Sequence, residues 1–146
     1  MFGSPTAFLL ASLSLFSLVA AGGDYAKCET SGGSPWTYDC TNALNKLNKS
    51  KCYQLNAQSS GCKNIISYGT CTVAVCVKDD FVFNAPQAAG EFIYDNGYKL
   101  ADKCGCKSGN CKVGGYYHVE HAANAAAAHG CISTGLGYAH VEFIKH

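Results

Sequence analysis

The residues best suited to chemistry form a repeated tripeptide, His118-Val119-Glu120 and His140-Val141-Glu142. An imidazole titrates near neutral pH, and a nearby carboxylate orients it or shifts its pKa, so this pair suits acid–base steps or metal binding. Because successive side chains of a β-strand point to opposite faces, each tripeptide in a strand places its His and Glu on one face and its Val on the other. Pairing of the two strands would therefore bring two histidines and two carboxylates together.

The tripeptides are compatible with three uses. The plainest is structural, a strand pair whose polar side chains face solvent while Val119 and Val141 face the core. A zinc site and an acid–base site are the alternatives. We expect the structural use and therefore predict no catalytic residue, no metal and no cofactor. The candidate catalytic residues of the alternative are His118, Glu120, His140 and Glu142, and further possible ligands are His121, His129 and His146.

The acid–base alternative that we weigh is a small secreted hydrolase, because secreted microbial ribonucleases use a similar set of His and Glu side chains. Such chemistry needs a cation to stabilise the charge that develops on phosphate. The chain has no arginine, so that only scattered lysines such as Lys99, Lys112 or Lys145 could take this role. The same absence, with a net charge of +1, argues against nucleic-acid binding.

The elements that must position these residues are predicted from periodicity. Strands rich in β-branched or aromatic residues are expected at Asn64 to Tyr68, Thr70 to Val77 and Phe81 to Phe83, and alternation predicts two more at Tyr116 to Glu120 and Gly137 to Lys145. The short connections among the first three favour antiparallel pairing.

Two helices are predicted. The first begins at Thr37 or Asp39 and presents an apolar stripe of Cys40, Ala43, Leu44 and Leu47. The second begins near Asn84 and Pro86 and ends at Cys104; its apolar face is Ala88, Ala89, Phe92, Ile93, Leu100 and Ala101, and Asn96-Gly97 indicates a weak point or a kink.

The segments between these elements are predicted to be irregular. They are the arm Gly22 to Trp36, the loop Cys52 to Lys63, and the alanine-rich tract Ala122 to Ala128, which we expect to be a surface excursion. The fold class is therefore α+β: an antiparallel β-sheet covered by two α-helices, an α/β sandwich stapled by disulfides.

An uncharged apolar run, Phe8 to Ala21, precedes every cysteine of the chain. Its length is that of a signal-peptide core and is too short for a membrane span, so we expect residues 1–21 to be a signal peptide and residues 22–146 to be one secreted cysteine-rich domain with no membrane span. The even cysteine count agrees with a disulfide-stapled secreted domain. The predicted disulfide cysteines are Cys28, Cys40, Cys52, Cys62, Cys71, Cys76, Cys104, Cys106, Cys111 and Cys131.

The cysteine spacing leaves the pairing open but limits the chemistry. No C-x-x-C pair occurs, and Cys104-Gly105-Cys106 is too tight for a standard zinc knuckle. An even count in a secreted chain predicts no free thiol for a cysteine nucleophile, and no G-x-S-x-G motif indicates a serine hydrolase. We expect Cys40, Cys71, Cys76 and Cys104 to tie helices to the sheet.

The surface offers two further features. Asn48-Lys49-Ser50 is a glycosylation sequon. Trp36 with Tyr38, and Tyr116-Tyr117, are either a carbohydrate-stacking platform or ordinary core and sheet aromatics, the second being the expectation.

Four local sequences are familiar as a set. They are Asp39-Cys40 at the first helix, Tyr68-Gly69-Thr70-Cys71 entering a strand, the helix before Cys104, and Gly114-Gly115 before the closing strands. Over roughly Trp36 to Ile144 this set resembles the fungal extracellular effectors of the necrosis-inducing factor family. The chain departs from that pattern by an alanine-rich insert and by extra cysteines, Cys76, Cys106 and Cys111.

The resemblance implies a secreted protein that a plant-associated fungus uses during infection and that provokes host cell death. It also implies a sandwich similar to that of virally encoded fungal killer toxins. The expected partner is a host extracellular or membrane protein, or a cell-wall carbohydrate, met in the host apoplast. An antimicrobial protein similar to killer toxins is the alternative within this resemblance, and the hydrolase described above is a second alternative.

Overall fold

The computed structural model describes residues 23–55, 61–78, 86–133 and 136–146. The predicted signal peptide and the predicted strand Phe81 to Phe83 lie outside the described residues. In chain order the elements are β1 (Tyr25–Cys28), α1 (Thr37–Asn45), β2 (Cys52–Gln54), β3 (Gly61–Tyr68), β4 (Cys71–Lys78), β5 (Gln87–Ala89), α2 (Gly90–Cys104), β6 (Gly115–Val119), α3 (Ala122–Ala126) and β7 (Tyr138–Lys145).

A five-stranded sheet organises the fold. Its strand order is β1-β6-β7-β4-β3, and each neighbouring pair is antiparallel. Helix α1 packs against β3 and β4, while α2 packs against β1, β6 and β7. The predicted α+β class, an antiparallel sheet covered by helices and stapled by disulfides, is confirmed.

The core lies between the sheet and the two helices. Alternation places Val73, Val75 and Val141 on the helix-covered face, where all three are fully buried against side chains such as Leu44 and Leu100. Burial of these apolar side chains away from water is the main driving force for packing the helices on the sheet. The opposite face of the sheet is left for polar and aromatic side chains.

Helix α2 is continuous through Asn96-Gly97, so the predicted weak point is not a break. A Cβ on Gly97 would lie 2.4 Å from Leu44 Cδ2, closer than atoms can approach. The glycine is therefore there because α1 crosses α2 at this point. Asn96 is buried and donates from Nδ2 to the Phe92 carbonyl oxygen at 2.8 Å, so its polar side chain is satisfied inside the helix.

Helix α2 also begins later than predicted. Ala88 and Ala89 are fully buried, but they belong to β5, which pairs with β2 in a small second sheet. At Gly90 the backbone comes so close to α1's exit that a Cβ would lie 2.1 Å from the Asn48 carbonyl oxygen. The chain turns from strand to helix at this glycine. The expected loop Cys52 to Lys63 is likewise wrong, because β2 and the start of β3 lie within it.

Two other irregular segments are ordered by tertiary contacts. The arm predicted at Gly22 to Trp36 contains β1, whose Tyr25 pairs with His118 of β6. The alanine-rich tract contains α3, which buries Ala122 and Ala126 completely and is not a surface excursion. Alanine's small side chain allows this close packing. The sequence did not predict it, because burial of a helix is usually read from a periodic pattern of large apolar residues, which this tract lacks.

All ten cysteines pair. The disulfides are Cys28–Cys104, Cys40–Cys71, Cys52–Cys131, Cys62–Cys76 and Cys106–Cys111. Cys40–Cys71 joins α1 to β4 and Cys28–Cys104 joins β1 to the end of α2, as expected of helix-to-sheet ties. Cys76 is the exception, because it pairs with the directly opposite Cys62 and joins two strands of the sheet. No helix in the described ranges is long and apolar enough to cross a bilayer.

A compact joint connects α1 to the turn between β3 and β4. Asp39 Oδ2 accepts hydrogen bonds from the Thr70 backbone N–H at 2.8 Å and from Thr70 Oγ1 at 2.6 Å. Gly69 adopts a left-handed conformation (φ 53°), and a Cβ there would lie 2.5 Å from Asp39 Cγ. The turn therefore needs glycine both for its backbone and for the space that Asp39 occupies.

Candidate functional site

The face of the sheet opposite α1 and α2 carries a continuous cross-strand row. From β1 to β3 the row reads Tyr25, His118, His140, Cys76 and Cys62, each residue directly opposite the next. The predicted pairing of the two tripeptides is therefore correct. Val119 and Val141 face the core, as the structural use requires, being 4% and 0% exposed.

The polar residues of the two tripeptides form a chain of contacts. His118 Nε2 lies 2.5 Å from Glu120 Oε2, and His118 Nδ1 lies 2.8 Å from His140 Nε2. At the far end, His140 Nδ1 lies 3.9 Å from Glu142 Oε1. The order is carboxylate, imidazole, imidazole, carboxylate.

Proton placement in this chain follows from the acceptors. An ionised Glu120 is an acceptor only, so His118 Nε2 carries a hydrogen and donates it. In a neutral His118 the Nδ1 atom then has a free lone pair, and His140 Nε2 is the donor to it. The His140 Nδ1 lone pair faces Glu142. Glu120, His118 and His140 are therefore joined by hydrogen bonds, whereas the 3.9 Å between His140 Nδ1 and Glu142 Oε1 is too long for one.

Tyrosine rings surround the two histidines. Tyr25 stacks on His118 with centroids 4.8 Å apart, and Tyr116 stacks on His140 at 4.0 Å. Tyr138 contacts both imidazoles, at 4.9 and 5.3 Å. We call Tyr25, Tyr116, His118, Tyr138 and His140 the histidine–tyrosine cluster.

The stacking decides which members a ligand could touch. The His118 side chain is only 8% exposed, whereas those of Glu120, His140 and Glu142 are 39%, 20% and 25% exposed. A molecule on this face would meet the tyrosines, His140 and the two carboxylates. His118 would act on it only through its neighbours.

Burial shifts the pKa values of His140 and Glu142, the two residues at one end of this chain of contacts. The pKa of His140 is lowered, first by desolvation and then by the neighbouring His118. The pKa of Glu142 is raised, first by desolvation and then by the charge of Glu29. Both shifts favour the uncharged forms of these two side chains.

A pocket of about 360 Å³ adjoins the cluster at Glu142. Its walls come from the arm after β1, the start of β6 and the end of β7. The residues lining it are Glu29, Ser31, Gly33, Ser34, Pro35, Gly114, Gly115, Tyr116, Glu142, Phe143, Ile144 and Lys145. Sequence reasoning missed this pocket, because only the pairing of β1 with β6 brings the arm beside Glu142.

Metal ligation finds little support in this cluster. In the part of the chain that the structure describes, the grouping of three potential ligands close enough to share an ion is Cys62, Cys76 and Glu142. The two sulfurs of that group are bonded to each other and cannot ligate as thiolates. The remaining histidines are placed elsewhere: His129 Nε2 lies 2.8 Å from Glu91, His146 contacts Thr72, and His121 is exposed before α3.

The remaining surface features predicted from the sequence, the aromatic pairs and the glycosylation sequon, do not form part of this site. Trp36 and Tyr38 are exposed, and Lys112 lies over the Trp36 ring at 4.0 Å. Tyr116 and Tyr117 point to opposite faces of β6, so they do not make one platform. The exposed Asn48 accepts from the Ser50 backbone N–H at 3.1 Å.

Comparison with known proteins finds neither a family model nor a curated protein that matches the chain. Membership of the necrosis-inducing factor family therefore stays a prediction. The function of the chain has to be inferred from the geometry of its open sheet face and of the joint at α1.

Proposed function

We propose that this protein is a secreted fungal effector that acts outside the producing cell on a host plant, by surface binding and without catalysis. Its contact with the host is proposed to provoke cell death. Secretion is supported by five disulfides, because such bonds persist in oxidising compartments. The proposed location is the host apoplast.

The observation that carries this proposal is the joint between α1 and the β3–β4 turn. Two motifs that carry the family resemblance, Asp39-Cys40 and Tyr68-Gly69-Thr70-Cys71, meet there through the Asp39–Thr70 hydrogen bonds and the Cys40–Cys71 disulfide. Motifs that are distant in sequence and joined in space form one structural unit. That unit supports a shared architecture, and the architecture is what the resemblance links to effectors and killer toxins.

The open sheet face is the proposed binding surface. Aromatic side chains with polar tips are favoured at interfaces, because they bury a large area and still make hydrogen bonds. Tyr25 is 48% exposed at the edge of the histidine–tyrosine cluster, and Tyr116 and Tyr138 are partly exposed within it. Stacking on the histidines holds these rings in place before a partner arrives.

The test is infiltration of folded, disulfide-intact protein into leaves, with a gene-deletion strain scored for colonisation. We expect cell death around the infiltrated zone and reduced colonisation by the deletion strain. The variant Tyr25→Ala should weaken the response. The control Tyr38→Ala, at a tyrosine that is more exposed and lies away from the cluster, should leave it unchanged. Both variants need a melting temperature close to that of the original protein.

Other outcomes separate the alternatives. Unaltered colonisation together with no leaf response would contradict the effector proposal. Growth inhibition of fungi or bacteria by the pure protein, without any response in leaves, would instead support an antimicrobial protein similar to killer toxins.

A second candidate function, a small secreted hydrolase, is favoured by the chain of contacts from Glu120 through His118 and His140 to Glu142. Two imidazoles in direct contact 2.8 Å apart can share a proton, as acid–base catalysis requires. The test is a ribonuclease assay with His140→Ala and His118→Ala. Loss of an activity at an unchanged melting temperature supports the hydrolase, and an inactive original protein removes it.

A further inference from the structure

The pocket beside Glu142 is built before any ligand arrives. The Glu29 backbone N–H donates to the Gly114 carbonyl oxygen at 2.9 Å, and the Val113 N–H donates to that of Pro35 at 2.9 Å. These bonds fix the arm against the entry to β6. Because preorganised walls need no ordering on binding, they lower the entropic cost of holding a ligand.

Glycines permit this close approach of the arm. A Cβ on Gly115 would lie 1.9 Å from the Lys27 carbonyl oxygen, and one on Gly114 would lie 2.7 Å from Ser34 Oγ. Gly115 also has a φ of 115°, which L side chains rarely adopt. Larger residues at either position would push the arm away and open the pocket.

The lining selects a chemical class of ligand. It offers carboxylates from Glu29 and Glu142, hydroxyls from Ser31 and Tyr116, and one lysine at position 145. Lys27 lies 2.9 Å from Glu29 and is engaged there. Lys27 and Lys145 therefore balance the two carboxylates, so neither an anion nor a cation would meet an excess of opposite charge, and an apolar ligand would leave these polar groups without partners.

A neutral, hydroxyl-rich molecule fits these constraints best. Carboxylate oxygens accept hydrogen bonds from hydroxyl groups, and Ser and Tyr hydroxyls can donate or accept. Tyr116 adds an aromatic wall held in place by His140 at 4.0 Å. The volume of about 360 Å³ lies within the range of small-ligand pockets, and the pocket shares Tyr116 and Glu142 with the open sheet face.

We propose that this pocket binds a sugar unit of an uncharged cell-wall polysaccharide, with Glu142 and Glu29 as hydrogen-bond acceptors and Tyr116 as an aromatic wall. This inference rests on the extracellular action proposed above and names the partner of that same face.

The experiment is calorimetric titration of the folded mature protein with soluble oligomers of cellulose, β-1,3-glucan, xylan and chitin. Charged probes, polygalacturonate and chitosan, are run beside them. We expect saturable binding of at least one neutral oligomer, weakened about tenfold or more by Glu142→Ala and by Tyr116→Ala, since each removes a positioned contact. The control Ile132→Ala, an exposed side chain outside the pocket, should stay within about twofold of the original affinity.

Glu142→Gln has nearly the same side-chain shape as the original residue and removes its charge, so it serves where the alanine variants are unstable. The proposal is overturned if no neutral oligomer binds, if a charged probe binds more tightly than every neutral one, or if the control variant loses affinity as much as the pocket variants. Sugar binding together with no leaf response and unaltered colonisation by the deletion strain would contradict the effector proposal alone. A leaf response that survives in a Glu142→Gln protein unable to bind sugar would contradict the pocket's role in that function alone.

Discussion

The joint between α1 and the β3–β4 turn yields a quantitative prediction for Gly69→Ala. A left-handed alanine costs roughly 1–2 kcal/mol by itself. Its Cβ would also lie 2.5 Å from Asp39 Cγ, so the carboxylate must move and lose its two bonds to Thr70. Hydrogen bonds to a charged group contribute about 1.5–3 kcal/mol, and Asp39 is only half-buried, so we expect a total loss of about 3 kcal/mol.

A double-mutant cycle isolates the clash from the backbone strain. Asp39→Ala alone should cost about 1.5–2 kcal/mol through the lost bonds to Thr70. In that background there is room for the new Cβ, and Gly69→Ala should cost only the backbone strain of roughly 1–2 kcal/mol. The two changes should therefore be less than additive by about 1–2 kcal/mol.

The assay is equilibrium unfolding in guanidinium chloride with all disulfides intact. Gly32→Ala is the matched control, because a Cβ there meets nothing within 4 Å, and it should change the free energy of unfolding by less than about 0.5 kcal/mol. Equal costs of Gly69→Ala in the two backgrounds would refute the reasoning, since the space taken by Asp39 would then be irrelevant.

Three further predictions test other parts of the fold. The pKa of His140 is lowered in the folded state, so the contribution of neutral His140 to stability is present above the unfolded value near 6.5 and is lost as pH falls below it toward the folded value. Between about pH 7.5 and pH 5 the melting temperature of His140→Gln should therefore fall less than that of the original protein. The control His121→Gln should behave like the original protein. Ala126 is fully buried in α3, so Ala126→Leu should cost about 1–3 kcal/mol of unfolding free energy in guanidinium chloride, while Ala125→Leu on the exposed side should cost little. Secretion from yeast should add a glycan at the exposed Asn48, seen as a mass that endoglycosidase removes and that Asn48→Gln lacks; an unmodified product would contradict this.

Local periodicity was enough to predict the elements that bury one face. The apolar stripe of α1 and the alternation of β4 and β7 each predict a buried side, and the structure has all three elements close to the expected bounds. By contrast, β1 and the β2–β5 pair depend on partners far away in sequence. These short segments show no alternation of apolar and polar residues, so the sequence does not predict them as strands, and they form through pairing with their partner strands.

The candidate site shows the same division. Period two predicted that His118, Glu120, His140 and Glu142 share a face, and the structure brings them together. The tyrosines that stack on the histidines could not be predicted, because Tyr25 reaches His118 only through the register of β1 on β6. The pocket beside Glu142 depends on that same register.

The strand order β1-β6-β7-β4-β3 has a consequence for export. On the proposed secretory route the chain enters the lumen from its N-terminus, so β1 arrives first but must wait for β6 before it can pair. Cys40–Cys71 and Cys62–Cys76, separated by 31 and 14 residues, can close early, whereas Cys28–Cys104 and Cys52–Cys131 span 76 and 79 residues. Cys28 and Cys52 therefore stay as free thiols while the earlier disulfides form, and free thiols can attack those disulfides and exchange with them. Efficient maturation should thus depend on a disulfide isomerase more than on the supply of oxidant.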